Sequence, residues 1–285
     1  MTVTTSETQI ALLNRYSEKL RRDQRQRLIG LIVMRLALAV FLLGLWEYVS
    51  GPRLDPGTII DEFYVSRPSQ ILDALLRWID QGVLFPSVFQ TIINTVIGFA
   101  IGATLGLIFG FLIASNPFVA EVVDPFITAV YSIPRLALVP LFMLWFGIGM
   151  SMKLALVASV VFFLVFYATY AGVKEVDETM KDKLRLMRAS WLGIALKVTL
   201  PSAATFIISG LRISAPYALV AEVTAEMMSS NAGLGYLLIR SSSQYYTPGV
   251  FAAILLMMLI GMWLTWFVGL IERRALRWKP RRRAS

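Results

Sequence analysis

The side chains that could perform chemistry in this chain are limited to carboxylates, hydroxyls and basic groups, because the sequence contains neither histidine nor cysteine. Thiolate nucleophiles, zinc sites built from cysteine and histidine, and histidine-dependent catalytic triads are therefore excluded. The ionisable candidates for function within or beside long apolar segments include Arg135, Arg212, Glu222 and Glu226. Such groups are costly in a membrane, so they usually face protein, a partner charge or water.

Two of these candidates are carboxylates on one predicted helix. Glu222 and Glu226 are four residues apart and share a helix face, where like charges repel unless they are solvated. Arg212 lies ten residues before Glu222. That separation is about 15 Å along a helix, so the two cannot pair within it. We therefore expect water in an outer vestibule to solvate both carboxylates, and the sequence indicates no tuned acid–base pair for catalysis.

Two prolines flank the remaining arginine, in the order Pro134, Arg135, Pro140. Proline leaves a helical carbonyl without its donor, which a membrane tolerates only where neighbouring residues or water satisfy it. A broken helix beside a charge indicates the lining of a translocation pathway. The alternative is a kinked structural helix whose arginine extends to an interface, and both interpretations stay open here.

The composition is that of an integral membrane protein. Of the 285 residues, 57% are hydrophobic and 16% are charged, and the mean hydropathy is +0.67. Soluble domains average about 25% charged residues, and a membrane-spanning helix needs roughly 20 apolar residues. Six segments meet or approach that length, at about 29–50, 92–115, 126–147, 152–173, 202–225 and 249–271. The sequence thus predicts an all-α membrane domain over 29–271, preceded by a basic segment at 1–28 and followed by a basic tail at 272–285.

Lysine and arginine are distributed unevenly between the loops. Residues 1–28 carry six, 174–200 carry six and 272–285 carry seven, out of 27 in the chain. Because positive residues accumulate in cytoplasmic loops, both termini and the 174–200 loop are predicted to be cytoplasmic. The net charge of +9 then belongs to a membrane rim rather than to a nucleic-acid-binding surface.

Small residues mark one side of the second apolar segment, with Gly98, Gly102, Gly106 and Gly110 at a spacing of four. Glycines in this pattern let another helix approach closely. The partner helix could belong to the same chain, to a second copy or to a moving interface. In the preceding loop, an apolar pattern predicts an amphipathic helix over 68–79, and its stripe consists of Ile71, Leu72, Leu75, Leu76 and Ile79.

The cytoplasmic stretch 177–200 is the most informative. Its apolar residues recur at helical spacing and are Leu184, Met187, Trp191, Ile194, Ala195 and Val198. Asp182 and Ser190 are predicted N-caps of two short helices that join at about 188–190. The apolar stripe would bind either the lipid surface or a groove on a cytoplasmic protein.

At these residues the chain resembles the permease subunits of binding-protein-dependent ABC importers, of the nitrate, taurine and sulfonate type. Such permeases share the motif E-A-A-x3-G-x9-I-x-L-P, and its positions are occupied here by Asp182, Lys183, Leu184, Arg188, Val198, Leu200 and Pro201. Asp182 stands for the family's glutamate, and Arg188 stands for its glycine. Further family-like words include Leu138-Val139-Pro140, Ala225-Glu226-Met227 and Gly233-Leu234-Gly235-Tyr236, and the resemblance covers about residues 60–280.

The resemblance implies a type I ABC importer permease fold with about six transmembrane helices and two short cytoplasmic coupling helices, in the bacterial cytoplasmic (inner) membrane. Two permease subunits, expected to be identical, would form the pathway, and an external solute-binding protein would deliver a small anionic or polar solute. The candidate pathway residues are Pro134, Arg135, Pro140, Arg212, Glu222 and Glu226.

Two cytoplasmic ABC ATPase subunits would dock on the 177–200 segment. The implied contact residues are Asp182, Lys183, Leu184, Arg188, Ala189, Ser190, Val198, Leu200 and Pro201. ATP and Mg²⁺ are expected on those partner subunits, and no cofactor is expected in this chain, because it contains no G-x-x-x-x-G-K-[ST] phosphate loop.

Two other classes of protein compete with this interpretation. A self-contained secondary transporter also needs polar groups at midmembrane depth, but the sequence has neither inverted repeats nor matched broken helices. A membrane enzyme would need a convergent nucleophile, base or metal site, and the candidate residues are scattered.

Overall fold

The computed structural model describes residues 26–27, 29–51, 59–229 and 231–275. Most of the predicted segment 1–28 and most of the predicted tail 272–285 lie outside the described residues. The helices are α1 (Ile29–Val49), α2 (Pro68–Asp80), α3 (Leu84–Ala114), α4 (Pro117–Tyr131), α5 (Val139–Phe146), α6 (Met150–Lys174), α7 (Glu178–Leu186), α8 (Trp191–Ile194), α9 (Leu200–Ser229), α10 (Leu234–Ser243) and α11 (Thr247–Ala275).

The number of candidate spans agrees with the six that the sequence predicts, and the third is interrupted at its prolines, as the sequence indicates. Among the described residues, five helices are long and apolar enough to cross a membrane, and α4 and α5, bent by 77° at a short break, make a sixth candidate when they are counted as one span. The chain is extended at Pro134 (φ −70°, ψ 97°), continues as a 3₁₀ turn over Arg135–Leu138, and re-enters a helix with Pro140 in its first turn. Prolines at these places break the span because each removes a backbone donor.

The chain forms two compact units, Met1–Gln70 and Ile71–Ser285. In the first, strand β1 (Ser50–Gly51) pairs in parallel with β2 (Ile60–Asp61). The Glu47 carboxylate at the end of α1 accepts hydrogen bonds from the backbone N–H and the hydroxyl of Ser69, at 3.0 and 2.7 Å. These contacts fasten the chain where it leaves the first helix.

In the second unit, α6 is the central helix and packs between α3 and α9. Its buried side, which includes Leu156, Val157, Val161 and Val165, forms the core with alanines of α9. Because those alanines are small, the helices approach closely and bury a continuous apolar seam.

The predicted helix over 68–79 is confirmed as α2, and the predicted apolar stripe is partly right, since Ile71 is buried and Leu75 is half-buried. The buried side chains are Ile71, Ala74 and Trp78, whereas Leu72 and Leu76 are exposed. The buried set follows the i, i+3, i+7 spacing of one helix face, and the sequence pattern favoured the neighbouring face because leucine is concentrated there.

Candidate functional site

The segment 177–200 contains the two short helices that the sequence predicts. Ser190 caps α8 as predicted, since its Oγ accepts a hydrogen bond from the Gly193 N–H at 3.2 Å. The other predicted cap is wrong. Asp177 caps α7 by accepting from the Thr179 N–H at 2.8 Å, while Asp182 lies within α7. Hydrogen bonds from Thr179 lower the pKa of the Asp177 side chain, which favours its ionised, capping form.

The joint between α7 and α8 is a left-handed turn at Arg188, with φ of 56°. The Arg188 N–H donates to the Arg185 carbonyl at 2.9 Å, and the Ala189 N–H donates to the Leu184 carbonyl at 3.0 Å. This pair of bonds is the Schellman motif that ends helices, and it normally places glycine at the left-handed position. The position where the family motif has glycine is therefore the one where the backbone needs it.

Arg188→Gly is expected to stabilise the permease by about 0.5–1 kcal/mol, because glycine adopts the left-handed conformation without the Cβ clash. The melting temperature of the purified chain measures the effect. Arg188→Lys is the matched control, since it keeps the positive charge and the Cβ. A stabilisation of equal size in both variants would assign the effect to the side chain rather than to the backbone.

Apolar side chains project from this segment in two directions. Ala195 is buried and Leu184, Ile194 and Val198 are half-buried, so most of the predicted stripe faces the rest of the chain. A different set is exposed, namely Leu186 (85%), Met187 (77%), Trp191 (58%), Leu192 and Leu196. We call these five residues the apolar docking patch. The predicted stripe is therefore only partly right, since it contains just two members of this patch.

The predicted ATPase-contact residues divide in the same way. Asp182, Lys183, Arg188 and Ser190 are exposed, and Leu184, Ala189, Val198, Leu200 and Pro201 are half-buried. The segment continues into α9 through a π-helical turn, Ala195–Thr199. This turn joins α8 to the long helix α9 without an intervening loop.

Arg135 lies at the break in the third span. Its guanidinium sits over the rings of Tyr131 and Phe163, at 4.9 and 4.8 Å from the ring centroids, and Nη2 donates to the Tyr131 carbonyl at 3.2 Å. It lines a cavity of about 370 Å³ together with Pro134, Leu164 of α6 and Tyr217 of α9. Pairs of aromatic faces hold a guanidinium in place without neutralising it, so this side chain can attract an anion.

The other pathway candidates lie elsewhere. Arg212 contacts Glu272 of α11, with 3.3 Å between Nη1 and Oε2, and it does not line the Arg135 cavity. Pro140 serves to start α5. Of the six candidate pathway residues, Pro134 and Arg135 are therefore the two that line the Arg135 cavity.

Glu222 and Glu226 are both fully buried, so the prediction that vestibule water solvates them is wrong. The Thr91 hydroxyl of α3 lies 2.8 and 3.0 Å from the two carboxylate oxygens of Glu226, and the Asn94 amide donates to Glu222 at 2.9 Å. The buried ammonium group of Lys153 on α6 interacts electrostatically with both carboxylates. These five residues form a buried polar cluster that joins α3, α6 and α9.

A glycine turn closes over this cluster at the end of α9. The Gly235 N–H donates to Oε2 of Glu226 at 2.9 Å, and the Leu234 N–H donates to the Thr91 hydroxyl at 3.0 Å. Gly233 has φ of 105°, and a Cβ on it would collide with the Glu226 carboxylate. The carboxylate therefore fixes the start of α10 against α9. Polar Asn94 and charged Lys153 within apolar stretches are the sequence signals for this cluster, and neither residue is among the predicted site residues.

The glycine stripe of α3 faces α6. A Cβ on Gly98 would lie 2.6 Å from Cβ of Val157, and one on Gly110 would lie 2.7 Å from the Phe166 carbonyl oxygen. Gly102 and Gly106 meet α6 in the same way. The stripe thus lies against a helix of the same chain.

Comparison with known proteins decides the family. The family described as "Binding-protein-dependent transport system inner membrane component" matches residues 102–277. The chain belongs to this family. The predictions of a multi-pass inner membrane protein and of a non-catalytic ABC permease subunit are therefore confirmed, and the secondary-transporter and membrane-enzyme alternatives fall.

Individual relatives agree with this assignment. The permease is 31% identical to a Bacillus subtilis (strain 168) protein named for aliphatic sulfonates transport, SsuC, over 86% of this chain and 87% of that protein. It is 33% identical to the Escherichia coli (strain K12) protein of the same name, over 56% of this chain and 61% of that protein.

The fold is that of type I ABC importer permeases. The permease aligns with a chain of the MetNI methionine ABC transporter in an inward-facing conformation, with a TM-score of 0.59 at 17% identity, over 72% of this chain and 97% of that chain. A chain of an amino acid ABC transporter aligns with a TM-score of 0.56 at 18% identity, over 70% and 98%.

Proposed function

We propose that this permease forms, with a second identical copy, the translocation pathway of an ATP-driven importer for a small anionic or polar organic solute. An external solute-binding protein delivers the solute, and two cytoplasmic ABC ATPase subunits dock on the 177–200 segment. The binding-protein-dependent family and the sulfonate-named relatives support the class of solute. The clustering of lysine and arginine supports cytoplasmic termini.

The observation that carries this proposal is the apolar docking patch. Leu186 and Met187 expose most of their surface at the tip of the segment, next to the charged Lys183 and Arg188. Exposed apolar side chains rimmed by charge are typical of protein–protein contacts. A short helix that lays such a face in a groove is a common recognition mode, and the groove here would belong to an ATPase subunit.

Coupling then follows from connectivity. ATP and Mg²⁺ bound between the two ATPase subunits would draw the docked segments together, and the π-helical turn would pass that displacement to α9. The Arg135 cavity is bounded by α6 and α9. A shift of α9 would therefore change the space around the pathway arginine, which is the requirement for alternating affinity between inward- and outward-facing states.

The experiment is a charge substitution in the docking patch. Met187→Glu is expected to reduce copurification of the ATPase subunits at least tenfold, since a carboxylate in an apolar contact costs about 1.4 kcal/mol or more. ATP-dependent uptake of a labelled alkanesulfonate into vesicles should fall in parallel. Leu76→Glu on α2 is the matched control, because Leu76 is also an exposed apolar residue, at 49%.

Membrane insertion of both variants should equal that of the unmodified permease. Full ATPase binding by Met187→Glu would remove the docking patch from the mechanism. Equal losses in Met187→Glu and Leu76→Glu would also count against it, since the effect would then be unrelated to the 177–200 segment.

A further inference from the structure

A polar cavity lies at the end of the helical unit that is opposite the 177–200 segment. It has a volume of about 180 Å³ and is lined by residues that include Val83, just before α3, and Arg240 of α10. A second cavity lies at the other end of α3 and is lined by residues that include Ala114, Lys181 and Trp191. A helix as long as α3 spans about 45 Å, so the two cavities lie on opposite sides of the membrane domain.

Two arginines converge on this cavity, Arg77 from α2 and Arg240 from α10. They are two of the four arginines in the loops that the charge distribution predicts to be external. Within the described ranges, neither has a carboxylate within 4.0 Å, although Asp73 and Asp80 lie on the same helix as Arg77. Nε of Arg77 donates only to the Asp73 backbone carbonyl, at 3.4 Å. The cavity therefore carries two positive charges that the described residues leave unpaired.

Neutral donors complete the lining. The Tyr246 hydroxyl is buried and has no hydrogen-bond partner among the described residues, and the guanidinium of Arg77 lies 5.5 Å from the centroid of the Tyr246 ring. Gln81, Gln244 and Ser241 also line the cavity. A buried hydroxyl without a partner is costly, so its presence beside two cations indicates a missing acceptor.

The backbone is shaped to place this tyrosine. Tyr245 has φ of 54°, an unusual conformation for a bulky side chain, and it directly precedes Tyr246. A Cβ on Gly249 would lie 2.5 Å from Ser241 Oγ and 2.6 Å from Cδ1 of Tyr246. Glycine at that position is what allows Tyr246 to pack beside Ser241. The left-handed Tyr245 ends α10 as Arg188 ends α7, since its N–H donates to the Ser242 carbonyl at 3.0 Å and the Tyr246 N–H donates to the Ser241 carbonyl at 2.9 Å.

We propose that the Arg77–Arg240 cavity binds the oxyanion group of a small solute, a carboxylate or a sulfonate. Guanidinium groups offer paired N–H donors that match two oxygens of such a group, and the tyrosine hydroxyl supplies a third donor. The volume equals that of roughly six water molecules, which suits one oxyanion group on a short carbon chain. The assignment rests on the proposed function only in placing this cavity on the external face, where an anionic solute would arrive.

The same chemistry is offered by the phosphate of a lipid headgroup, so the experiment separates the two sources. Equilibrium binding of ³⁵S-labelled methanesulfonate is measured on the purified permease–ATPase assembly in nanodiscs, once in phosphatidylcholine and once with phosphatidylglycerol added. Saturable binding should weaken at least tenfold in Arg77→Gln and in Arg240→Gln. Arg67→Gln is the matched control, since Arg67 also lies in a predicted external loop but pairs with Glu62 at 3.9 Å.

Two further variants guard against loss of folding and against a second site. Tyr246→Phe removes only the hydroxyl and should weaken binding severalfold with an unchanged melting temperature. Arg135→Gln removes the pathway arginine, which can itself attract an anion, and the loss caused by Arg77→Gln should be the same in this background as in the unmodified assembly. Binding in Arg77→Gln and Arg240→Gln equal to that of the unmodified assembly would overturn the proposal. Displacement of methanesulfonate by phosphatidylglycerol would assign the cavity to lipid instead and overturn the solute assignment.

This test is independent of the docking patch. The 177–200 segment does not line the Arg77–Arg240 cavity, so a failure of the methanesulfonate-binding test would leave the ATPase-docking proposal in place. Conversely, loss of the ATPase subunits from Met187→Glu would leave methanesulfonate binding by the permease measurable.

Discussion

Glu226→Leu is expected to destabilise the permease by about 3–5 kcal/mol, the cost of removing one partner from a buried charge cluster. Leucine has nearly the volume of glutamate, so little of this loss comes from a cavity. The Gly235 N–H would lose its acceptor, at present 2.9 Å away. The Thr91 hydroxyl would lose its nearest acceptor, at 2.8 Å, and keep only the Ser87 carbonyl at 3.1 Å. Lys153 would keep a buried charge with one of its two carboxylates gone.

A graded series separates the charge from the hydrogen bonds. Glu226→Gln retains one acceptor oxygen for the Gly235 N–H but loses the charge and exchanges the second oxygen for an amide NH2, so its effect should be smaller than that of Glu226→Leu. Glu222→Gln should stay within about 1 kcal/mol, because the amide oxygen can still accept from Asn94 and the cluster retains one carboxylate for Lys153. Melting temperatures of the purified permease rank the three variants. Equal losses in Glu222→Gln and Glu226→Leu would show that the cluster does not depend on the turn at Gly235.

The 177–200 segment was predictable because its determinants are local. The Ser190 cap accepts its hydrogen bond from Gly193, only three residues away. The left-handed joint at Arg188 is stabilised by hydrogen bonds to the carbonyls of Leu184 and Arg185. Such contacts leave their signature in a short window of sequence. The misassigned cap at Asp182 follows from the same rule, since Asp177 and Asp182 are both acceptable caps and only the helix start distinguishes them.

The buried polar cluster was not predictable because its contacts are distant along the chain. Thr91 and Glu226 are 135 residues apart, and Asn94 and Glu222 are 128 apart. Periodicity shows which side of a helix is special but not which other helix covers it. The sequence therefore predicts that water solvates Glu222 and Glu226. In the structure, donors from α3 and the Lys153 cation from α6 take the place of that water.

The bend in the third span was predictable in cause but not in extent. Pro134 and Pro140 indicate where backbone bonds are lost, but the 77° angle depends on how α5 packs against α6. The Arg135 cavity exists because of that angle, so its lining could not be assembled from the sequence.

Gly106→Ala is expected to destabilise the permease by about 2 kcal/mol, within the usual range for overpacking a tight contact. The added Cβ would lie 2.6 Å from the carbonyl oxygen of Phe162 and 3.0 Å from the backbone N of Phe166. Both are main-chain atoms of α6, which is itself packed between α3 and α9, so no rotamer change can relieve the contact. Gly269→Ala on α11 is the matched control, because no atom lies within 4 Å of its Cβ position. There alanine should stabilise the helix by about 0.5–1 kcal/mol.

A second pair tests whether the close contact is responsible. At Gly98 the nearest atom is the Cβ of Val157, and its Cγ1 lies 2.7 Å away, so Val157→Ala should partly rescue Gly98→Ala. Val157→Ala should not rescue Gly106→Ala, because the atoms that the added Cβ would contact there belong to the main chain of α6. Melting temperatures of the purified permease and the yield of inserted protein report both effects. Gly106→Ala and Gly269→Ala of equal stability would mean that α3 and α6 do not meet at the stripe. With the expected result, the stripe is occupied by α6 of the same chain and is not available to a second copy.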